Sequence, residues 1–127
     1  MTTRRRITFD TICEFGERLP GTEVSTAYGS PALKVNGRIY AGIAINKEAE
    51  PNSLMVYLAD FEQREALLTE DPATYYVKPH YEPYPVVLVR LACVTRDALK
   101  DLLRGAHRVV SSKKPVSRRA TKKRRRA

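Results

Sequence analysis

The sequence has no apolar run approaching the roughly 18 residues that a membrane span needs, so no membrane partner is expected. Cysteine and histidine are scarce, with two of each. Cys13 and Cys93 stand in neither a CxxC nor a Cys/His spacing, and His80 and His107 are too far apart for a metal-ligand pair. The cysteines therefore read as small apolar residues buried in a reducing compartment. A P-loop, a GxGxxG, an HExxH and a nucleophile elbow are all absent. A thiol–imidazole pair of Cys13 with His80 or His107 is the one nucleophilic arrangement available, and both cysteines lie in apolar runs that favour a structural role. The chain is accordingly expected to be no enzyme, with no catalytic residues, no metal and no cofactor. Residues 1–6 are basic but lead into an amphipathic pattern instead of an apolar core, so no secretory signal is expected. The expected address is the cytoplasm, or the nucleoid if DNA is the partner.

Acid is also missing from one region, and that absence organises the charge. Of 23 lysines and arginines, nine fall after residue 112: Lys113, Lys114, Arg118, Arg119, Lys122, Lys123, Arg124, Arg125 and Arg126. No aspartate or glutamate accompanies them. The remaining 14 basic residues balance all 14 acidic ones, so the net charge of +9 belongs to the tail and the body is neutral. Two parts follow: a folded domain over 1–110, expected to be a monomer, and a Lys/Arg-rich tail over 111–127 that cannot bury a core and is expected to be disordered.

The body, residues 1–110, carries a succession of helix and strand signals. Thr8 as cap and Asp10 in the first turn open a helix over 9–19, with Phe9, Ile12, Cys13, Phe15 and Leu19 on one face. Leu19-Pro20-Gly21 ends it. A strand over 23–28 precedes two more, 32–35 and 38–45, joined at Asn36-Gly37. Both turn residues tolerate the positive φ of a type I′ hairpin. In the second arm, Ile39, Ala41, Ile43 and Ile45 alternate against Tyr40, Gly42 and Ala44. A polar loop over 46–52 leads to a strand over 53–58. Asp60 and Gln63 form a capping box for a helix over 61–70, whose apolar side is Phe61, Leu67 and Leu68. Short strand 75–78, a Pro- and Tyr-rich loop, and an apolar strand 86–94 follow. Arg90, alone in that apolar run, reads as a salt-bridge or sheet-face residue. Thr95 caps a final helix over 96–110, with Leu99, Leu102, Leu103, Ala106 and Val110 in helical spacing.

Several of these residues form an ordered set. Leu19-Pro20-Gly21, Tyr28-Gly29-x-Pro31-Ala32-x-Lys34-Val35-x-Gly37, Asp71-Pro72, Tyr76, Pro79-His80-Tyr81 and Val87-x-Val89-Arg90-Leu91 together resemble the MmcQ/YjbR family over about residues 9–110. The resemblance implies an α+β fold, an antiparallel sheet packed against helices of the CyaY-like, double-wing type, and a DNA-binding role. The family often has a tryptophan after the His-Tyr loop, where this chain has Val86. The basic tail lies outside the family pattern.

DNA is the expected partner, bound mainly through its phosphate backbone by the tail, with RNA as the alternative polyanion. Within the body, Lys34, Arg38, Lys78, His80 and Tyr81 are the candidate secondary contacts. The cations would meet phosphate and Tyr81 would stack or hydrogen-bond. The simpler reading of Lys34 and Arg38 is a solvated hairpin tip, and of His80 a loop histidine bonded to backbone. In a eukaryote the run 122–126 would instead suit a localisation signal. Two non-DNA alternatives remain: a ligand pocket formed by Tyr28, Tyr76, His80 and Tyr84, and a protein-interaction module on the sheet face.

Overall fold

The computed structural model describes residues 7–27, 30–44 and 47–112. Tyr28 and all nine tail cations lie outside them, as does the expectation of disorder in the tail. In chain order the elements are α1 (Phe9–Glu17), β1 (Thr22–Ala27), β2 (Ser30–Val35), β3 (Arg38–Ile43), β4 (Ser53–Tyr57), α2 (Phe61–Glu70), β5 (Tyr75–Tyr76), β6 (Val86–Arg90) and α3 (Arg96–Ser111). The strands form one antiparallel sheet in the order β1-β2-β3-β4-β6-β5. This is the α+β arrangement expected.

Side chains alternate across the sheet and divide the core in two. On one face Leu33, Val35, Leu54, Val56, Val87 and Val89 pack with α1 and α3. Leu99, Leu103 and Val110 of α3 supply the centre of that layer. On the other face Val86 and Leu88 meet Tyr76 and Tyr81, so the loop after β5 covers the far side of β6. Strand β6 is thus apolar on both faces because both are covered. Helix α1 sits closely on β2: a Cβ built on Gly16 would lie 2.7 Å from a Leu33 methyl, so any larger residue there would make the Leu33 side chain shift.

Caps and turns follow the local chemistry. Gln63 N–H donates to Asp60 Oδ1 at 2.8 Å, while Gln63 Oε1 accepts from Ala59 N–H at 2.9 Å. Ala98 N–H donates to Thr95 Oγ1 at 3.1 Å. Asn36 and Gly37 take φ of 56° and 79°, as the type I′ reading requires.

Four expectations change. Tyr40 and Ala41 are both fully buried, because the β2–β3 register shifts between Leu33 and Lys34 and the bulge breaks the alternation. The 86–94 run is a strand only to Arg90; Val94 N–H then returns to Arg90 C=O at 3.1 Å in a turn. That turn leaves Cys93 exposed, and Cys13 is only half-buried, so neither is the sealed core residue expected. Helix α2 exposes Phe61 (46%) and buries Arg64 (7%). The Arg64 guanidinium donates to three carbonyls, those of Tyr84 (2.8 Å), Glu82 (3.1 Å) and Val86 (3.3 Å), pinning the loop over the second face.

Candidate functional site

The candidate residues of the body fall into two groups. Lys34 and Arg38 flank the Asn36-Gly37 turn, and both are partly exposed. Asn36 Nδ2–H donates to Ser111 C=O at 3.3 Å. The hairpin tip is therefore tied to the end of α3, the point from which the chain continues into its nine cations. The same end of the molecule carries a cleft of about 440 Å³, lined by Lys34, Gly37, Arg38, Ile39, Tyr57, Leu58, Ala59, Pro85, Val109 and Val110. It opens where two strands part. The β3–β4 ladder pairs only Ala41–Ile43 with Leu54–Val56, so Arg38–Tyr40 and the end of β4 lie beyond it. Beyond Tyr57, Leu58 N–H turns to Pro85 C=O at 2.7 Å.

Lys78, His80 and Tyr81 belong to the loop on the other face. Tyr81 is only 7% exposed and packs with Val86 and Leu88, so its ring is a core residue and not the surface platform that stacking needs. Its place was set by the apolar second face of β6, which needs covering. His80 is exposed; its backbone N–H donates to Glu48 Oε1 at 2.9 Å and its ring meets Tyr81 edge-on at 4.8 Å. Lys78 Nζ lies 5.9 Å from the Tyr76 ring centroid. Of the expected tyrosine pocket, Tyr28 lies outside the described residues; the Tyr76 hydroxyl accepts from Glu50 N–H at 2.7 Å and shares a bond with Ser53 Oγ at 2.6 Å, while Tyr84 is 53% exposed.

Arg90 is the salt-bridge residue expected. Its Nε and Nη2 clamp both oxygens of Glu50 at 2.8 and 2.7 Å, and Nη1 reaches the Pro72 and Ala73 carbonyls. Its guanidinium also covers the Tyr76 ring at 4.3 Å. This fork ties the 47–52 loop to β6 and occupies the one arginine of the apolar run. The hydrogen bond from Arg90 holds the Glu50 carboxyl below its ordinary value and raises Arg90 in turn. A depressed carboxyl stabilises the fold only while ionised. Its contribution is complete above about pH 4.5, the ordinary value, and fades as pH falls through the lowered folded value. Glu50→Gln is therefore expected to flatten the urea midpoint against pH below about 4.5. An unchanged acid limb in that variant would assign the acid sensitivity elsewhere.

The thiol–imidazole pairing finds no support in the geometry. His107 Nε2 lies 2.6 Å from Pro20 C=O, which requires an Nε2–H donor, and its ring stands edge-on to Tyr40. Burial, aided by Glu17 and Asp10, pushes the Cys13 thiol up, away from the thiolate a nucleophile needs. Among the described residues no group of three or more His, Cys, Asp or Glu is placed to hold a metal, and no helix is long and apolar enough to cross a membrane.

The YjbR family model matches residues 17–109, most of the chain. The chain belongs to the YjbR family. A crystal structure of Deinococcus radiodurans protein DR2400, carrying the family-model domain DUF419, superposes with a TM-score of 0.69 at 25% identity, covering 93% of this chain and 88% of that one. Among curated proteins, the uncharacterized proteins Rv2570 of Mycobacterium tuberculosis and Mb2600 of Mycobacterium bovis are each 37% identical over 51 residues. That match covers 40% of this chain and 40% of each relative, so the chain spans about two-fifths of the curated relatives it matches. The YjbR match stops short of the cationic tail.

Proposed function

We propose that this YjbR protein is a non-enzymatic binder of nucleic acid, DNA first, that grips the phosphate backbone with little sequence preference. The observation that carries the reading is the Asn36–Ser111 hydrogen bond. It brings the Lys34/Arg38 hairpin beside the residue from which a tail of nine cations and no acid continues, so wing and tail act on one stretch of duplex. The body as a whole is neutral and contributes no general attraction. Lys78 and His80 sit on the other face and are assigned no part in this grip; in a double-wing arrangement they would need a second contact with the duplex.

Each cation that neutralises a phosphate releases condensed counterions, so affinity comes without base reading. Two unrelated duplexes of equal length are expected to bind the full chain equally. Replacing Lys34 and Arg38 together by alanine removes two phosphate contacts, and the slope of log affinity against log salt is expected to shallow by about 1.8. Thermal stability should hold, since both side chains are partly exposed. A slope identical to wild type would detach the hairpin from the interface. Failure of the full chain to bind either duplex at low salt would end the nucleic-acid reading.

A further inference from the structure

The cleft beside the hairpin has a chemistry that phosphate-backbone contact does not use. Seven of its ten lining residues are Ile39, Tyr57, Leu58, Ala59, Pro85, Val109 and Val110. Only Lys34 and Arg38 are charged, and no carboxylate lines it. A duplex backbone presents charge and ribose to a surface and has no use for an apolar wall. A small ligand does, and a volume of about 440 Å³ falls in the range of small-molecule sites.

The cleft is also a consequence of the sheet itself. The β2–β3 bulge at Tyr40 and the three-pair β3–β4 ladder spread the strands at this end, and the last turn of α3 closes one side with Val109 and Val110. The two cations come from one hairpin arm each, with Lys34 opposite Ile39 and Arg38 opposite Val35. Charge is thus concentrated on the hairpin side and apolar surface on the β4 and α3 sides. The tail is a poor occupant, because its first residues, Lys113 and Lys114, repeat the charge already present.

We infer that this cleft binds a small organic anion with an apolar body, an aryl or branched-alkyl carboxylate or phosphate monoester. The anionic group pairs with Lys34 and Arg38, and the apolar body packs between Ile39, Leu58 and the Val109–Val110 turn. This site does not depend on nucleic-acid binding, although it shares two residues with it.

Ala59 makes the inference separable. It is exposed on the cleft rim, and its one described hydrogen bond is made by its backbone N–H, which any residue retains. Ala59→Trp adds bulk to the cleft and leaves both cations in the sequence. The protein has no tryptophan, so the new indole is also a clean reporter. The probe is 8-anilinonaphthalene-1-sulfonate, titrated into the full chain by fluorescence and calorimetry. One probe per chain is expected. Ala59→Trp and the Lys34→Ala/Arg38→Ala pair should each weaken it about tenfold or more. 1-Naphthyl phosphate should displace the probe where inorganic phosphate at the same concentration does not.

Undiminished probe binding in Ala59→Trp with a native melting curve would overturn the site, as would equal displacement by inorganic phosphate. Ala59→Trp is expected to bind DNA as wild type does. A wild-type chain that binds DNA but not the probe overturns this inference alone, and one that binds the probe but not DNA overturns the nucleic-acid reading alone.

Discussion

Arg64→Ala is expected to lower the unfolding free energy by about 3 kcal/mol, on the scale of losing several hydrogen bonds to a charged group. The side chain is 7% exposed, and its guanidinium spans the carbonyls of Glu82, Tyr84 and Val86. Alanine removes a charged donor from all three carbonyls at once, leaving that of Tyr84 with the Val86 N–H alone. It also removes the stem that fills the space beneath, and the cation lying 4.9 Å from the Phe61 ring centroid. For a domain of this size the loss corresponds to a melting temperature lower by on the order of 15 °C. Lysine should recover little, because a single ammonium cannot reproduce a fork that reaches three acceptors. Circular dichroism melting of the three proteins checks this. A melting point for Arg64→Ala within about 3 °C of wild type would mean the loop is held by its own packing of Tyr81 on Leu88.

Replacing the nine tail cations by glutamine, at unchanged chain length, should have the largest effect on binding. With six to nine of them on phosphates, wild-type affinity is expected to fall about 10³- to 10⁵-fold between 50 and 200 mM salt. The glutamine variant retains only the hairpin pair, and its salt slope should collapse to about −2. Its stability should be that of wild type, since the described core is made entirely of residues between Ile7 and Val110. Filter binding or fluorescence anisotropy across a salt series reads both slopes. Equal slopes would shift the interface onto the folded body, which its neutral charge balance makes a weak polyanion binder.

Local chemistry made much of this fold legible. Asn36-Gly37 announces its turn because only such residues accept positive φ at little cost, and α3 announces itself through a long apolar stripe with a Thr95 cap. The failures share a different cause. The burial of Arg64 is not visible locally, because the carbonyls that satisfy it come from a loop some twenty residues later. An apolar run from Val86 to Val94 cannot distinguish one long buried strand from a short strand followed by an apolar turn. Tyr40 defeats an alternation rule because a bulge inserts one extra residue. At the site, the hairpin cations were visible, but the cleft was not: its walls come from four separate stretches of chain that only the topology brings together. Tyr81 misled for the same reason, since nothing local reveals that the second face of β6 needs a lid.

The sheet is sewn unevenly. Three residue pairs join β3 to β4, whereas β1–β2 has six and β4–β6 has five. What spans the weak seam is α3, which touches β2, β3 and β4 and follows all of them in the chain. During synthesis the two better-stitched parts of the sheet therefore leave the ribosome before the helix that fastens them to each other. Helix α1 can cover β1 and β2 early, but the seam between β3 and β4 has no helix across it until Leu99, Leu103 and Val110 emerge.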